Sequence, residues 1–222
     1  MRNLIQQNTS IKMKYLSFAV FFILVSCGNN KEVLLPKSDV TIVKTIDNHS
    51  PIYIFFKSDG KDTIAEVNRK NEIISTNWIF NIDKRLPLRL VIPEIMKLQE
   101  KKRSEKMHKN EVAQNYYSYA DSIGKNMAFI PFTQIHYKMN KPSHEILVYF
   151  TKDNLILVNG VQVEKTDLEH YIKALPSDKP NKFMFCFAKD LSFGNYIQDK
   201  IVLQSVKLPI PIENVSNSEF IY

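Results

Sequence analysis

The chain has 222 residues, with 30 Lys and Arg against 23 Asp and Glu, two cysteines and five glycines. That length allows one large domain or two small ones. Two cysteines exclude a disulfide-stapled scaffold, five scattered histidines carry no zinc-ligand spacing, and a net charge of +7 does not by itself point to nucleic acid.

Met13-Lys14 opens a short basic region, Tyr15 to Val25 is apolar almost throughout, and Ser26-Cys27-Gly28 follows. A cationic start, a short apolar core and a small-residue cleavage point mark a secretory signal. Spanning a bilayer takes about 20 apolar residues, so this run is short for a transmembrane helix. Leu24-Val25-Ser26-Cys27-Gly28 resembles the lipobox of bacterial lipoproteins. The resemblance implies that Cys27 becomes the lipid-bearing first residue, with translation from Met13, and that residues 1–27 are signal and lipobox. Arg2, Lys12 and Lys14 then leave with the signal, so much of the basicity belongs to export. Cys186 becomes the one remaining thiol, and the fold must rest on its core. Residues 28–44, with Pro36, read as a tether to the membrane.

Residues 45–140 read as an N-terminal α/β region. Ile52 to Phe56 and Thr63 to Val67 are strands joined through Ser58-Asp59-Gly60, and Trp78 to Ile82 is a third strand. A helix starts near Leu88, with Val91, Ile95 and Leu98 on one face and Pro93 tolerated early. It continues into a cation-rich stretch from Lys97 to Lys109. There Lys101, Lys102 and Arg103 are either contacts for anionic headgroups or an acidic partner, or the solvated end of the helix. Tyr116, Tyr117 and Tyr119 read as packing residues before a helix stop at Gly124. Ala128 to Phe132 and Ile135 to Met139 are extended, with Pro131 favouring an edge.

Residues 141–222 carry the clearest pattern, β-β-α-β-α-β. Ile146 to Phe150 and Leu155 to Val158 are strands, and Asn159-Gly160 suits a type I′ turn. Thr166-Asp167-Leu168-Glu169 reads as a capping box before Leu168, Tyr171, Ile172 and Leu175 on one helix face. Lys182 to Phe187 is a buried strand, a helix runs from about Asn195 to Val206, and Ile210-Pro211-Ile212 fits a short edge strand.

Three matches in order carry a resemblance to the periplasmic domain of the ExbD/TolR biopolymer-transport family. They are Leu157 to Val161 around Asn159-Gly160, the helix Thr166 to Ala174, and Phe187-Ala188-Lys189-Asp190-Leu191-Ser192-Phe193-Gly194 with the helix after it. Ile82-Asp83-Lys84-Arg85-Leu86-Pro87-Leu88 is similar to Phe187 to Phe193, which suggests a divergent repeat of the same unit in the first half. The expected class is thus α+β with an ExbD/TolR-like C-terminal unit. The resemblance implies dimerisation through sheet edges, the segment after Pro209 being a candidate edge, and contact with an envelope protein complex of the TonB or Tol type. Asp190, Phe193 and Tyr196 are the partner contacts it suggests, Asp190 being equally a helix-start residue. The family's transmembrane helix carries a proton-coupling aspartate, whereas no Asp or Glu occurs between Met1 and Ser26. Proton-driven work is therefore not expected.

Nucleophile elbows, phosphate loops and paired carboxylates are absent, and Cys186 sits in an apolar strand where a thiol is inert packing. No enzyme activity and no cofactor are expected. The sequence reads as a lipoprotein facing the periplasm, with a partner-binding role beside biopolymer transport. The alternative is a structural lipoprotein that holds cell wall or an anionic envelope polymer.

Overall fold

The computed structural model describes residues 31–107, 110–143, 146–175, 183–205 and 215–222. Cys27 with its lipobox and the expected 210–212 strand lie outside the described residues. Val33–Tyr222 forms one compact unit. This unit is α+β, with two mixed sheets and few helices.

The first sheet holds β1 (Lys37–Ser38), β2 (His49–Asp59), β3 (Asp62–Asn68), β4 (Asn77–Ile82), β5 (Asn115–Asp121) and β6 (Asn126–Pro131). Its order is β1-β5-β4-β2-β3, with β6 antiparallel along β5. Gly60, at φ +62, turns β2 into β3, a conformation that costs glycine little. Alternation then sets the core face: Ile52 and Ile54 of β2, Trp78, Phe80 and Ile82 of β4, and Tyr117 and Tyr119 of β5 are all buried. Helix α1 (Leu88–Ser104) lays Leu88, Val91, Ile92, Ile95 and Leu98 onto that face. Pro93 falls in its second turn, and the helix runs on past it to Ser104.

The second sheet holds β7 (His136–Lys138), β8 (Ile146–Phe150), β9 (Ile156–Val158), β10 (Val161–Val163), β11 (Phe183–Phe187) and β12 (Val215–Ile221). Its order is β10-β9-β8-β11-β12-β7. Helices α2 (Leu168–Lys173) and α3 (Phe193–Ser205) complete this half. Asn159 at φ 49 and Gly160 at φ 87 make the expected turn. The two halves share one arrangement, in which a hairpin's first strand runs parallel to a strand that feeds a helix and returns as a further parallel strand. This gives β3-β2-β4-β5 in the first half and β9-β8-β11-β12 in the second.

Several sequence expectations fail for identifiable reasons. The stretch 33–44 is no free tether: β1 pairs with β5, Val43 bridges to Phe129, and Leu34 exchanges hydrogen bonds with the Asp83-Lys84 turn. Tyr116, Tyr117 and Tyr119 lie in a strand, and Gly124 sits in the β5–β6 turn, where Asp121 Oδ1 accepts its N–H at 2.8 Å. The capping box does not form: Asp167 is the N-cap, without a side-chain cap bond, and the Thr166 hydroxyl turns to Asp167 Oδ1 at 3.3 Å. β7, expected on the N-terminal side of the boundary at 140, belongs to the second sheet. β12 is held by β11 on one side and β7 on the other, so the described part of the chain's end is an interior strand rather than a free edge.

Candidate functional site

Of the residues singled out by the sequence, Asp190, Phe193 and Tyr196 lie at the joint between the halves, while Lys101, Lys102 and Arg103 lie in the last turn of α1. Both α1 and α3 begin directly after a strand-to-helix turn, and neither turn offers a side chain to cap α1, whose N-cap is Pro87. Instead each turn caps the other half's helix through its backbone. Leu88 N–H donates to Leu191 C=O at 3.0 Å, while Phe193 N–H donates to Leu86 C=O at 2.8 Å. Arg89 N–H donates to Lys189 C=O at 2.8 Å, while Gly194 N–H donates to Lys84 C=O at 2.9 Å. The second bond of each pair is the first with every donor and acceptor exchanged for its counterpart in the other half. Leu86, Leu88 and Arg89 correspond to Leu191, Phe193 and Gly194, the same register as the sequence match. Pro87 and Ser192, equivalent in that register, form an antiparallel bridge at the centre. Orphan first-turn donors are thereby satisfied across the joint.

Close approach of the two turns favours glycine at 194, since a Cβ there would sit 3.1 Å from Lys84 Cβ and 3.2 Å from Lys84 O, and Lys84 would have to give by a few tenths of an ångström. Beside it Asp83 is fully buried and accepts from the backbone N–H and the guanidinium of Arg85 and from Leu34 N–H. Burial pushes its carboxyl up, but these donors outweigh burial and hold it below its ordinary value.

Of the expected partner contacts, Asp190 is on the surface, paired with Arg89 Nε at 2.8 Å across the joint. Phe193 and Tyr196 are not surface contacts: both are fully buried because the first half covers them. Phe193 packs edge-on to Tyr117 at 5.3 Å. Tyr196 stands at the end of a buried chain of hydroxyls. Tyr117 Oη lies 2.5 Å from Tyr137 Oη, which lies 3.1 Å from Tyr196 Oη, and Tyr196 donates to Glu219 Oε2 at 2.6 Å. Lys200 closes the chain on Glu219 Oε1. Burial, and then the Glu219 charge, raises Tyr137 and Tyr196 well above the ordinary phenol value, so both remain donors. Tyr117 is raised likewise, by burial first and the neighbouring Tyr137 next. The chain joins β5, β7, α3 and β12, and so ties both sheets together.

The cation run also divides. Lys101 pairs with Glu72, and Arg103 stays exposed with its guanidinium on Thr133 O at 3.0 Å and Ile135 O at 3.3 Å. Lys102 is buried, with its ammonium on Thr76 O and Asn115 Oδ1 at 3.0 Å and Gln114 O at 3.3 Å. It is thus no free surface cation, and burial lowers its pKa to about 8.

Three charged groups escaped the sequence reading. Asp199 and Glu219 are buried carboxylates on α3 and β12, and Lys165 Nζ reaches Asp199 Oδ1 at 2.7 Å. Burial lifts Asp199 to about 6 against the pull of Lys165. Cys186 is fully buried, and burial pushes its thiol up to about 12. Among the described residues no group of His, Cys, Asp and Glu is placed to hold a metal ion, and no helix is long and apolar enough to cross a membrane. Comparison with protein-family models, with curated proteins and with solved structures finds no match to this chain.

Proposed function

We propose that this chain is a lipid-anchored cell-envelope protein facing the periplasm. In this reading an ExbD/TolR-like pair of units binds a protein partner beside TonB- or Tol-type biopolymer transport, with no catalysis or proton coupling of its own. The observation that carries it is the reciprocal joint. The family it resembles works as dimers, and here two turns of similar sequence, Ile82 to Leu88 and Phe187 to Phe193, meet as a two-fold pair within one chain. The ExbD/TolR-like motifs at Asn159-Gly160 and Phe187 to Gly194 sit on β9–β10 and on the β11–α3 joint. The anchor rests on the sequence around Cys27 alone. Asp190 with Arg89 is the part of the joint that a partner can reach.

The rival reading, a holder of cell wall or anionic polymer, needs a continuous cationic face. Burial of Lys102 and the pairing of Lys97 and Lys101 with Glu94 and Glu72 reduce that face. The test is cross-linking of the tagged full chain in native envelopes, followed by purification in high salt. Recovery of a MotA/TolQ/ExbB-type membrane protein is expected. Recovery of cell wall alone, in a form that salt dissociates, overturns the partner reading in favour of its rival. For the anchor, Cys27→Ser is expected to lose incorporation of labelled lipid, and retained label sinks it.

A further inference from the structure

Two depressions adjoin where the last turns of α1 meet the loops before β4 and β5. The first, about 200 Å³, is polar and is lined by Gln99, Lys102, Arg103, Asn115, Thr133 and Ile74, among others. The second, about 450 Å³, is formed by Ile73, Ile74, Ser75, Glu105 and Met107. Ile74 is the wall they share. Ile73 is 57% exposed and Met107 71% exposed, so the second groove presents apolar side chains that no part of the core uses.

Charge pairing sets the first depression apart. Along α1, Lys97 is matched by Glu94 and Lys101 by Glu72. Among the described residues, Lys102 and Arg103, the two cations that line the cleft, meet no carboxylate; their partners are carbonyls, one Asn amide oxygen and the His136 ring. Glu111 also lines this cleft. A buried ammonium without a counter-ion is costly, and an anion beside it recovers part of that cost. Its weakest contact, Gln114 O at 3.3 Å, is the one an incoming oxygen displaces most cheaply. Arg103 adds a planar donor fork suited to carboxylate or phosphate.

We propose that this double depression is a binding site for a small amphiphile. Its oxyanion head sits between Lys102 and Arg103, and its apolar part crosses Ile74 into the groove of Ile73 and Met107. The inference rests on these residues alone and does not need the partner-binding reading above.

The protein carries its own reporter. Trp78 is the only tryptophan, and Lys102 Nζ lies 4.9 Å from its ring centroid. The full chain in zwitterionic nanodiscs is titrated with octanoate, octyl phosphate, acetate, octanol and octylamine while Trp78 emission is followed, empty nanodiscs correcting for partition. Saturable responses to octanoate or octyl phosphate are expected, the tighter of the two naming the head group. Acetate should bind at least about tenfold more weakly, the effect of about two buried methylenes. Octanol and octylamine should give no saturable response. Lys102→Met should abolish the response. Because that variant can misfold, Arg103→Gln and Met107→Ser provide surface tests: the first weakens every oxyanion, the second weakens octanoate but not acetate. Equal responses to octanol and octanoate, equal affinities for acetate and octanoate, or no saturable response to either anionic amphiphile would each overturn the proposal.

Discussion

Tyr196→Phe removes one oxygen from the centre of the molecule without changing its shape, and it separates two views of how the halves depend on each other. The lost hydroxyl donates to Glu219 at 2.6 Å and shares a 3.1 Å contact with Tyr137, and all three side chains are buried. A hydrogen bond to a charged group contributes about 1.5–3 kcal/mol and a neutral one about 0.5–1.5 kcal/mol. Glu219 keeps Lys200 and Tyr137 keeps Tyr117, so neither is left wholly unsatisfied. A loss of about 2–4 kcal/mol follows, a large share of the roughly 5–15 kcal/mol that holds a typical domain. At about 2–4 °C per kcal/mol for a chain of this size, the midpoint should fall by roughly 4–16 °C. The assay is thermal unfolding followed both by far-UV circular dichroism and by Trp78 emission, since Trp78 lies in the first half and Tyr196 in the second. Both midpoints should fall together, because the hydroxyl chain and the cross-capped helices make the halves one cooperative unit. If the Trp78 midpoint stays put while the dichroism splits into two steps, the coupling argued from this network is wrong.

Gly194→Val should destabilise by about 1–3 kcal/mol through overpacking, because its Cβ would meet Lys84 Cβ at 3.1 Å; a urea midpoint equal to that of the native chain would refute the close approach. Cys186, buried and with its thiol pushed up to about 12, should resist a thiol reagent at pH 8 until the protein unfolds, so its labelling rate should follow the unfolding rate as urea rises. Rapid labelling of the native chain would contradict that. Lys102 carries a pKa near 8 against an ordinary 10.5, so the cost of burying its charge is complete below pH 8 and is relieved between 8 and 10.5. Nitrogen-detected NMR of its Nζ should show a midpoint near 8, and stability attributable to this group should rise across that window. A midpoint near 10.5 would return Lys102 to the solvated face.

Much of the fold was legible where one local rule dominated. Asn159-Gly160 fixes a hairpin by backbone chemistry alone, and the spacing of Val91, Ile95 and Leu98 fixes the buried face of α1. The same spacing held a signal that went unused. Lys102 stands seven positions after Ile95 and four after Leu98, on the apolar stripe rather than opposite it, so its burial was readable from helical period. Tyr116 to Tyr119 misled because alternation of Tyr, Tyr, Ser and Tyr is blurred when both faces of β5 are covered. Phe193 and Tyr196 misled differently: a loop and the start of a helix are ordinarily exposed, and here Tyr117 of β5, far away in sequence, packs edge-on against both.

Contacts between the two halves explain the architecture. A short similarity between Ile82 to Leu88 and Phe187 to Phe193 reads in sequence as two units in a row, each with its own start and stop signals. The hydrogen bonds describe something else. The N–H groups of Leu88 and Arg89 end on Leu191 and Lys189, and those of Phe193 and Gly194 end on Leu86 and Lys84, so each helix start leans on its neighbour, α3 adding one cap of its own, Asn195 N–H donating to Ser192 Oγ. The segment 33–44 adds to this from outside: Leu34 holds the Asp83 turn in the first half, while Lys37 O accepts from Gln198 of α3 in the second. Each half cut from the chain would bare two helix-start donors and a face of aromatic rings, costs that a small core of half this size meets poorly. The exchange of backbone caps across the joint leaves neither half self-sufficient. This is why Pro87 can stand where a serine or aspartate would otherwise cap α1, with the exposed Arg89–Asp190 pair closing the joint at the surface.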